Sequence, residues 1–155
     1  LWATRSSEPR RGKHRMSVIE ANRQMVADFL GEWGKSYDAM CASFRRYLAP
    51  DCLIRMTRTA DLHGPDELIG FMAQVRAADI IETMDVEILR MVVTDDCVVC
   101  ERIDIMHPPS GGTNATLPTF SLMDIRDGRI TEWHDYFDSA DMPTGSVATI
   151  EATGA

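Results

Sequence analysis

Two oppositely charged residues, Arg102 and Asp104, lie two positions apart in a segment that alternates like a β-strand. Every second side chain of an extended chain is on the same face, so both would point to one side together with Met106. The two residues therefore form either an ion pair on the surface of an edge strand or part of a buried polar site.

A third charged residue, Asp135, has a more unusual setting. Trp133 and Phe137 flank it on the same face of a second predicted strand. If that face is the concave one, Asp135 lies in an apolar pocket, where a carboxylate needs a partner, and Arg102 is the candidate. The alternative is that Asp135 caps a turn.

A pocket holding these three residues could perform acid–base chemistry, because it would supply a proton donor and a proton acceptor together. Two carboxylates in one dry site do not both ionise easily, so they tend to share a proton and titrate as a pair. A guanidinium between them can bind both through paired hydrogen bonds. The candidate catalytic residues are therefore Arg102, Asp104 and Asp135.

Three helices are predicted in the first half of the chain. The first covers residues 17–33, begins with capping-box spacing and is expected to end at Gly34. The second covers residues 37–48. The third begins at residues 64–67, where a proline in the first turn and two acidic residues favour a helix start.

The hydrophobic period then becomes that of strands, with one short strand placed between the second and third helices. The predicted strands are residues 51–57, 82–93, 97–107, 117–126 and 129–137. Asp127 and Gly128 fit a tight hairpin turn between the last two. Helices followed by antiparallel strands predict an α+β fold, in which a curved sheet wrapped by three helices leaves a pocket on its concave face.

The charge is unevenly distributed along the 155 residues. The net charge is −8, and because residues 1–15 carry +4, the remainder carries −12. Such an acidic body repels phosphate backbones, so we expect no nucleic-acid partner. No apolar run is long enough to cross a membrane. We expect residues 1–15 to be a tail, residues 16–145 a single domain and residues 146–155 a flexible C-terminal tail.

The cysteines indicate structural thiols rather than a redox or zinc site. They are Cys41, Cys52, Cys97 and Cys100. The last two form a CxxC, but it lies inside an apolar run, and no second pair of zinc ligands accompanies it. Buried free thiols are typical of a reducing compartment, so we expect a cytoplasmic protein.

The histidines do not have the spacing of metal ligands. His63, His107 and His134 are each expected to be structural or solvated. The sequence also has no glycine-rich phosphate-binding loop and no nucleophile elbow. We therefore expect neither a metal nor a cofactor.

The two charged segments resemble those of the limonene-1,2-epoxide hydrolase family. Residues 101–106 read Glu-Arg-Ile-Asp-Ile-Met where the family has Glu-Arg-Val-Asp-Val. Residues 128–138 read Gly-Arg-Ile-Thr-Glu-Trp-His-Asp-Tyr-Phe-Asp where it has Gly-Lys-Ile-Thr-x-Trp-Arg-Asp-Tyr-Phe-Asp. The similarity covers residue 17 to about residue 142.

The resemblance implies the nuclear-transport-factor-2-like, SnoaL-like fold: an α+β cone, also called a cystatin-like roll, whose curved mixed or antiparallel sheet is wrapped by three N-terminal helices. It further implies a homodimer formed through the outer face of the sheet, where Ile103 and Ile105 would lie.

The reaction that the resemblance implies is a one-step, cofactor-free addition of water to an epoxide on an apolar, terpenoid-, steroid- or polyketide-like substrate. Asp135 would take a proton from the attacking water, Asp104 would protonate the opening oxygen, and Arg102 would bridge both carboxylates. By the same resemblance, the substrate pocket would be lined by Leu30, Trp33, Ile81, Met106 and Phe137.

The chain departs from the family at the two residues that hold the attacking water. Ungapped alignment places Ile54 and Met56, which would line the substrate site, where the family has a tyrosine and an asparagine. An acid and a base without a held nucleophile suit isomerisation, dehydration or cyclisation, which is the alternative function. A third possibility is a non-catalytic ligand-binding protein, but such a pocket has no need for two buried acids.

Overall fold

The computed structural model of the protein describes residues 16–143. The predicted tails, residues 1–15 and 146–155, lie outside the described residues, as do residues 144–145 of the predicted domain. The elements are, in chain order, α1 (Val18–Gly31), α2 (Tyr37–Tyr47), β1 (Leu48–Met56), β2 (Leu62–His63), α3 (Gly64–Ala77), β3 (Thr83–Val93), β4 (Cys97–His107), β5 (Ala115–Arg126), β6 (Arg129–Phe137) and a 3₁₀ turn (Ser139–Asp141).

The six strands form one sheet in the order β2-β1-β6-β5-β4-β3. Strands β1 and β6 pair in parallel and all other neighbours pair antiparallel, so the sheet is mixed. Side chains of the three helices and of the inward-facing strand positions share one buried core. The predicted α+β architecture, with three helices on a curved sheet, is confirmed.

The first helix begins as predicted but ends two residues earlier than predicted, at Gly31 instead of Trp33. The capping box is present. The Ser17 hydroxyl accepts a hydrogen bond from the backbone N–H of Glu20, and the Glu20 carboxylate accepts one from the backbone N–H of Ser17. The helix ends before Trp33 because the carbonyl of Trp33 accepts a hydrogen bond of 3.1 Å from the backbone N–H of Met84. Pairing with the start of β3 thus replaces the last helical turn and holds Trp33 against the sheet.

The strands match the predicted segments apart from their ends and one addition. Strand β1 begins at Leu48 and β5 at Ala115, both earlier than expected. The two-residue strand β2 was not predicted, because two residues are too few to show an alternation of apolar and polar side chains. Asp127 and Gly128 have φ values of 51° and 70°, as a two-residue hairpin turn requires, so the predicted hairpin is present.

The sheet has one buried and one more exposed face. Burial alternates residue by residue along β4 and β5, and along β6 from Glu132 onward, and the buried positions face the helices. Most buried positions are apolar, but Arg102, Asp104, Ser121 and Asp135 are also buried on these three strands. Among residues 16–143, no helix has the length and apolar character needed to span a membrane.

Candidate functional site

Three neighbouring strands bring the polar residues together. Arg102 and Asp104 lie on the inward face of β4, and Asp135 lies on the inward face of β6. Strand β5 runs between them, and its Ser121 is directly opposite Asp135 in the β5–β6 pairing. The alternation predicted from the sequence therefore places all three charged residues on one side of the sheet.

Arg102 binds both carboxylates from a position sealed off from solvent. Its Nε and Nη2 donate to the two oxygens of Asp104, at 2.8 and 3.1 Å. Its Nη2 and Nη1 also donate to the two oxygens of Asp135, at 2.6 and 3.4 Å, and Nη1 donates to the hydroxyl of Ser121. These bonds occupy the whole hydrogen-bonding fork of the guanidinium, so Arg102 is a fixed clamp.

The two oxygens of Asp135 have different surroundings. Oδ1 accepts from the indole Nε1 of Trp133 at 2.6 Å, from the hydroxyl of Ser121 and more weakly from Arg102. Oδ2 accepts only from Arg102 among the described residues. A carboxylate oxygen can accept two hydrogen bonds, so Oδ2 retains capacity to bind a further proton donor.

The electrostatics of the cluster favour one retained proton. One guanidinium and two carboxylates sum to −1 when both acids are ionised, in a site where a net charge is costly. Burial raises the pKa of Asp104, and the nearby Asp135 adds to the rise, while the guanidinium of Arg102 opposes it. Burial by itself lowers the pKa of Arg102, but the two carboxylates outweigh it and raise the pKa above its ordinary value.

Asp104 and Asp135 line a cavity of about 570 Å³, a size suited to a small organic ligand. Arg102 does not line it and acts from behind the two acids. The cavity is otherwise mostly apolar and rich in soft thioether side chains, which are Met40, Met56, Met72, Met84, Met106 and Met142. Such side chains adapt their shape to a ligand.

The residues expected to line the substrate pocket divide into two groups. Trp33, Met56, Ile81, Met106 and Phe137 line the cavity. Leu30 and Ile54 do not: both are fully buried in the core. Ile54 is paired with Trp133 on the neighbouring strand and is packed into the sheet, so of the two family water-holding positions only Met56 reaches the cavity.

Ser121 is a functional candidate that the sequence analysis missed. It is fully buried, donates to Asp135 and accepts from Arg102. The alternation of β5 could have identified it. Thr119 and Ser121 carry hydroxyl groups at inward positions, where the other inward residues of the strand are leucine, methionine and isoleucine. The role of the Trp133 indole N–H was also missed, because only an aromatic wall was expected there.

The other candidate groups are separate from the cluster. Cys41, Cys52 and Cys100 are buried, Cys97 is half-buried, and all four are free thiols. Burial raises the pKa of Cys52 to about 12 and that of Cys100 to about 11, so both stay protonated. Within residues 16–143, no group of His, Cys, Asp and Glu side chains converges as metal ligands.

His107 and His134 pair with acids that do not line the cavity, whereas His63 lies 3.6 Å from Glu67, which does. His107 contacts the Asp85 carboxylate at 2.9 Å and the Gly112 carbonyl at 3.0 Å. These contacts, led by the Gly112 carbonyl, raise the pKa of His107. His134 contacts Glu132 at 2.7 Å, on the opposite side of β6 from Asp135.

Solved structures share this fold. A candidate SnoaL-like polyketide cyclase from Jannaschia sp. CCS1 is 20% identical, with a TM-score of 0.65 over 82% of this chain and 92% of that one. A nuclear-transport-factor-2-like protein of unknown function from Burkholderia pseudomallei K96243 is 22% identical, with a TM-score of 0.65 over 81% and 94%. An LEH-like epoxide hydrolase from M. tuberculosis is 17% identical, with a TM-score of 0.66 over 90% and 96%.

These identities establish a common fold and nothing about the reaction. No functionally curated protein matches the chain. The SnoaL-like domain family matches residues 23–133, which include most of α1, most of the cavity lining, and Arg102 and Asp104, and which end two residues before Asp135. With the mixed curved sheet and three helices described above, this match establishes that the chain is a member of the SnoaL-like domain family.

Proposed function

We propose that the protein is a cofactor-independent epoxide hydrolase that adds water to an epoxide on an apolar substrate. The observation that carries the proposal is the buried Arg102, which binds Asp104 and Asp135 at once while both acids line an apolar cavity. Opening an epoxide at neutral pH requires an acid for the leaving oxygen and a base for the water, and both are within reach of one ligand.

Asp135 is the base in this proposal. Donors from Arg102, Ser121 and Trp133 converge on its carboxylate oxygens. Each of these three residues donates a hydrogen bond to Oδ1, which fixes the orientation of the carboxylate. Within residues 16–143, Oδ2 accepts one bond, from Arg102, and can still accept a proton from water. The water oxygen then bonds to a ring carbon as the carbon–oxygen bond of the epoxide breaks.

Asp104 is the acid in this proposal. Burial raises its pKa, so it carries the proton of the cluster to a higher pH than an exposed aspartate would. It protonates the epoxide oxygen as that oxygen leaves carbon. The product is a diol, and transfer of the proton from Asp135 back to Asp104 restores the starting state. Arg102 keeps its charge throughout and stays bound to both acids.

The alternative is a proton-transfer isomerase, dehydratase or cyclase that uses the same two acids. Met56 favours it, because this residue lies opposite Asp135 and offers no hydrogen bond to a water molecule. A base beside an apolar wall can take a proton from an activated substrate carbon, a step that needs no bound water. A non-catalytic ligand-binding protein is the third candidate, and the cost of burying two carboxylates argues against it.

The proposal is tested by incubating the purified protein with limonene-1,2-epoxide and with cyclohexene oxide, and separating the products by chiral gas chromatography. We expect diol formation that is lost in Asp135→Asn. Products of unchanged mass, such as an allylic alcohol, would support the proton-transfer alternative. Tight binding of these ligands with no conversion of either would support the binding protein.

We also propose that the protein is a homodimer that associates through the outer face of the sheet. Ile103 and Ile105 point outward on β4, as expected, and each is half-buried in the single chain. On the adjoining strands, Phe120 and Tyr136 are paired in register and are 47% and 55% exposed. Four large apolar side chains on one face form the self-complementary patch that a twofold interface requires.

A further inference from the structure

The indole N–H of Trp33 is a buried hydrogen-bond donor without a partner. Trp33 is 1% exposed, and its Nε1 finds no acceptor among residues 16–143. It is the single such side-chain atom in that part of the chain. The indole of Trp133, by contrast, donates to Asp135. Buried donors are nearly always satisfied in folded proteins, so an unpaired one requires an explanation.

The protein side of the Trp33 environment contains no suitable acceptor. Its ring packs against those of Phe29, Trp133 and Phe44, with centroids 5.0, 5.5 and 6.1 Å away. The guanidinium carbon of Arg102 lies 5.6 Å from the Trp33 ring, but a guanidinium is itself a donor. Aromatic carbon and a cation thus surround the indole on these sides.

Trp33 lines the cavity, so a molecule bound there lies beside the indole and can bring the acceptor that the described residues lack. A lone water molecule is a poor candidate, since an ordered water needs several polar partners and the neighbours here are rings and methionines. Trp33 Nε1 has almost no exposed surface, but the thioether side chains that line the cavity adapt their shape, which lets a ligand oxygen approach it. A ligand oxygen held by the rest of an apolar molecule needs no other partner.

The acceptor must be neutral. With one proton retained, the acidic cluster next to Trp33 has no net positive charge, and Arg102 has no free hydrogen to offer an anion. A carboxylate or phosphate on the ligand would therefore be buried there without a counter-charge, which is costly. A carbonyl, ether or hydroxyl oxygen carries no such cost.

We propose that the substrate carries, besides its reacting group, a second neutral oxygen that accepts a hydrogen bond from Trp33 Nε1. The inference rests on the proposed function and narrows its substrate class to oxygenated apolar epoxides, in which a carbonyl, ether or hydroxyl oxygen lies a few bonds from the ring. Trp33 selects the substrate and sets its orientation, and the two acids perform the chemistry.

The test uses a ketone and its parent hydrocarbon, 2-decalone and decalin, neither of which is an epoxide. The indole N–H resonances of the ¹⁵N-labelled protein are recorded with each, and the Trp33 resonance is assigned by its loss in Trp33→Phe. We expect 2-decalone to move this resonance downfield and decalin to leave its hydrogen bonding unchanged. An indole resonance that responds equally to both ligands would overturn the proposal, and would mean that the N–H stays against the ring of a neighbour.

Binding affinities provide a second readout. We expect the unmodified protein to bind 2-decalone about five- to tenfold more tightly than decalin, and Trp33→Phe to lose most of that preference. The matched control is Phe44→Leu, which changes a cavity aromatic that contacts Trp33 but leaves the donor in place; there the preference should persist. A preference unchanged in Trp33→Phe contradicts the proposal.

The outcome is separable from that of the proposed function. Neither decalone nor decalin undergoes hydration, so binding is measured without turnover. If the ketone preference depends on Trp33 while no epoxide is hydrated, the hydrolase proposal fails and the Trp33 subsite stands. If epoxides are hydrated and the preference does not depend on Trp33, the reverse holds.

Discussion

Met56 lies directly opposite Asp135 in the parallel pairing of β1 and β6, and both residues line the cavity. A thioether therefore stands beside the proposed base, at the end of β1 where the chain enters the turn that contains Thr57. The Thr57 hydroxyl does not replace the missing water ligand, because it already donates to the backbone carbonyl of Asp135 and accepts from the backbone N–H of Phe137. Neither Met56 nor Thr57 therefore offers a hydrogen bond that would orient the attacking water beside Asp135.

Met56→Asn should raise the rate of epoxide hydration by several-fold. The amide can hold a water molecule beside Asp135, and one positioning hydrogen bond lowers a barrier by about 1 kcal/mol or more. Initial rates of diol formation measure the effect. The matched control is Met72→Asn, which places the same amide elsewhere in the cavity and should give no gain. A fall in rate in Met56→Asn with no fall in Met72→Asn would count against a water-limited reaction.

Restoring both family positions at once is a less informative test. Ile54 has no exposed surface and does not line the cavity, so Ile54→Tyr would overpack the core. Overpacking of this kind costs about 1–3 kcal/mol in the free energy of unfolding. A loss of activity in the double variant would then report on the fold rather than on water binding.

Ser121→Ala should reduce kcat about tenfold and leave KM nearly unchanged. The hydroxyl holds Oδ1 of Asp135 and bonds to Arg102 but does not line the cavity, so its loss loosens the base without altering ligand contacts. Steady-state kinetics measure the split. Ser43→Ala is the control, because Ser43 is equally buried but bonds to the Met40 carbonyl within α2. Equal losses in both variants would indicate a general effect on stability.

The raised pKa of Asp104 predicts a specific dependence of stability on pH. In the folded protein the pKa of Asp104 lies above its ordinary value of 3.8. In the unfolded chain the pKa keeps that ordinary value. The stabilisation is complete below that value and is lost as the pH rises through the folded-state pKa, so the free energy of unfolding falls across this window. Urea unfolding at several pH values measures it.

Asp104→Asn supplies the comparison for that experiment, since an amide has no proton to lose. Its free energy of unfolding should lack this fall with rising pH. The same variant should also lose epoxide turnover, because the leaving oxygen has no acid. Identical pH profiles of stability in the two proteins would show that Asp104 does not hold the proton.

Strand alternation predicted that Arg102 and Asp104 share one face of a strand and that Asp135 shares a face with Trp133 and Phe137, because the period of two is enforced wherever one sheet face is buried. That both faces are the inward one was an expectation supported by the family resemblance. Alternation could not show that Ser121 meets Asp135, because pairing register between β5 and β6 decides which hydroxyl faces Asp135, and register is a long-range property.

Ile54 and Trp33 show two further limits of sequence reasoning. Alignment with a family assigns Ile54 a place in the site, but the depth of the cavity is set by how the helices pack on the sheet, and here they bury Ile54 completely. The end of α1 depends on the contact of Trp33 with Met84, which helix propensity does not include. The unpaired indole N–H is a consequence of the same packing.

The outer face of the sheet predicts a homodimer in solution. Sedimentation velocity at micromolar concentration should show twice the chain mass of 17.4 kDa. Tyr136→Glu, which places a charge in the proposed patch, should shift the protein to monomer, because the interface would bury an unpaired carboxylate on each subunit. A monomer for the unmodified protein would refute the dimer and leave the cavity proposals intact.

Asp135→Asn should abolish turnover while preserving the fold and ligand binding. The amide has nearly the shape of the carboxylate but cannot take a proton, and without a general base the loss in rate is about a hundredfold or more. Thermal unfolding and decalone binding serve as controls for the folded state. Residual activity close to that of the unmodified protein would remove Asp135 from the mechanism. Hydrolysis and proton-transfer isomerisation both predict this loss, so the variant alone does not separate them.

Reaction in ¹⁸O-labelled water separates them and tests the central claim most directly. Limonene-1,2-epoxide is incubated with the protein, and the product is analysed by mass spectrometry. If Asp135 activates water, the product is a diol that carries one labelled oxygen, and Asp135→Asn forms none above the uncatalysed background. An unlabelled allylic alcohol of the same mass as the substrate, formed by the unmodified protein and lost in Asp135→Asn, would contradict hydrolysis and leave proton transfer as the function of the cluster.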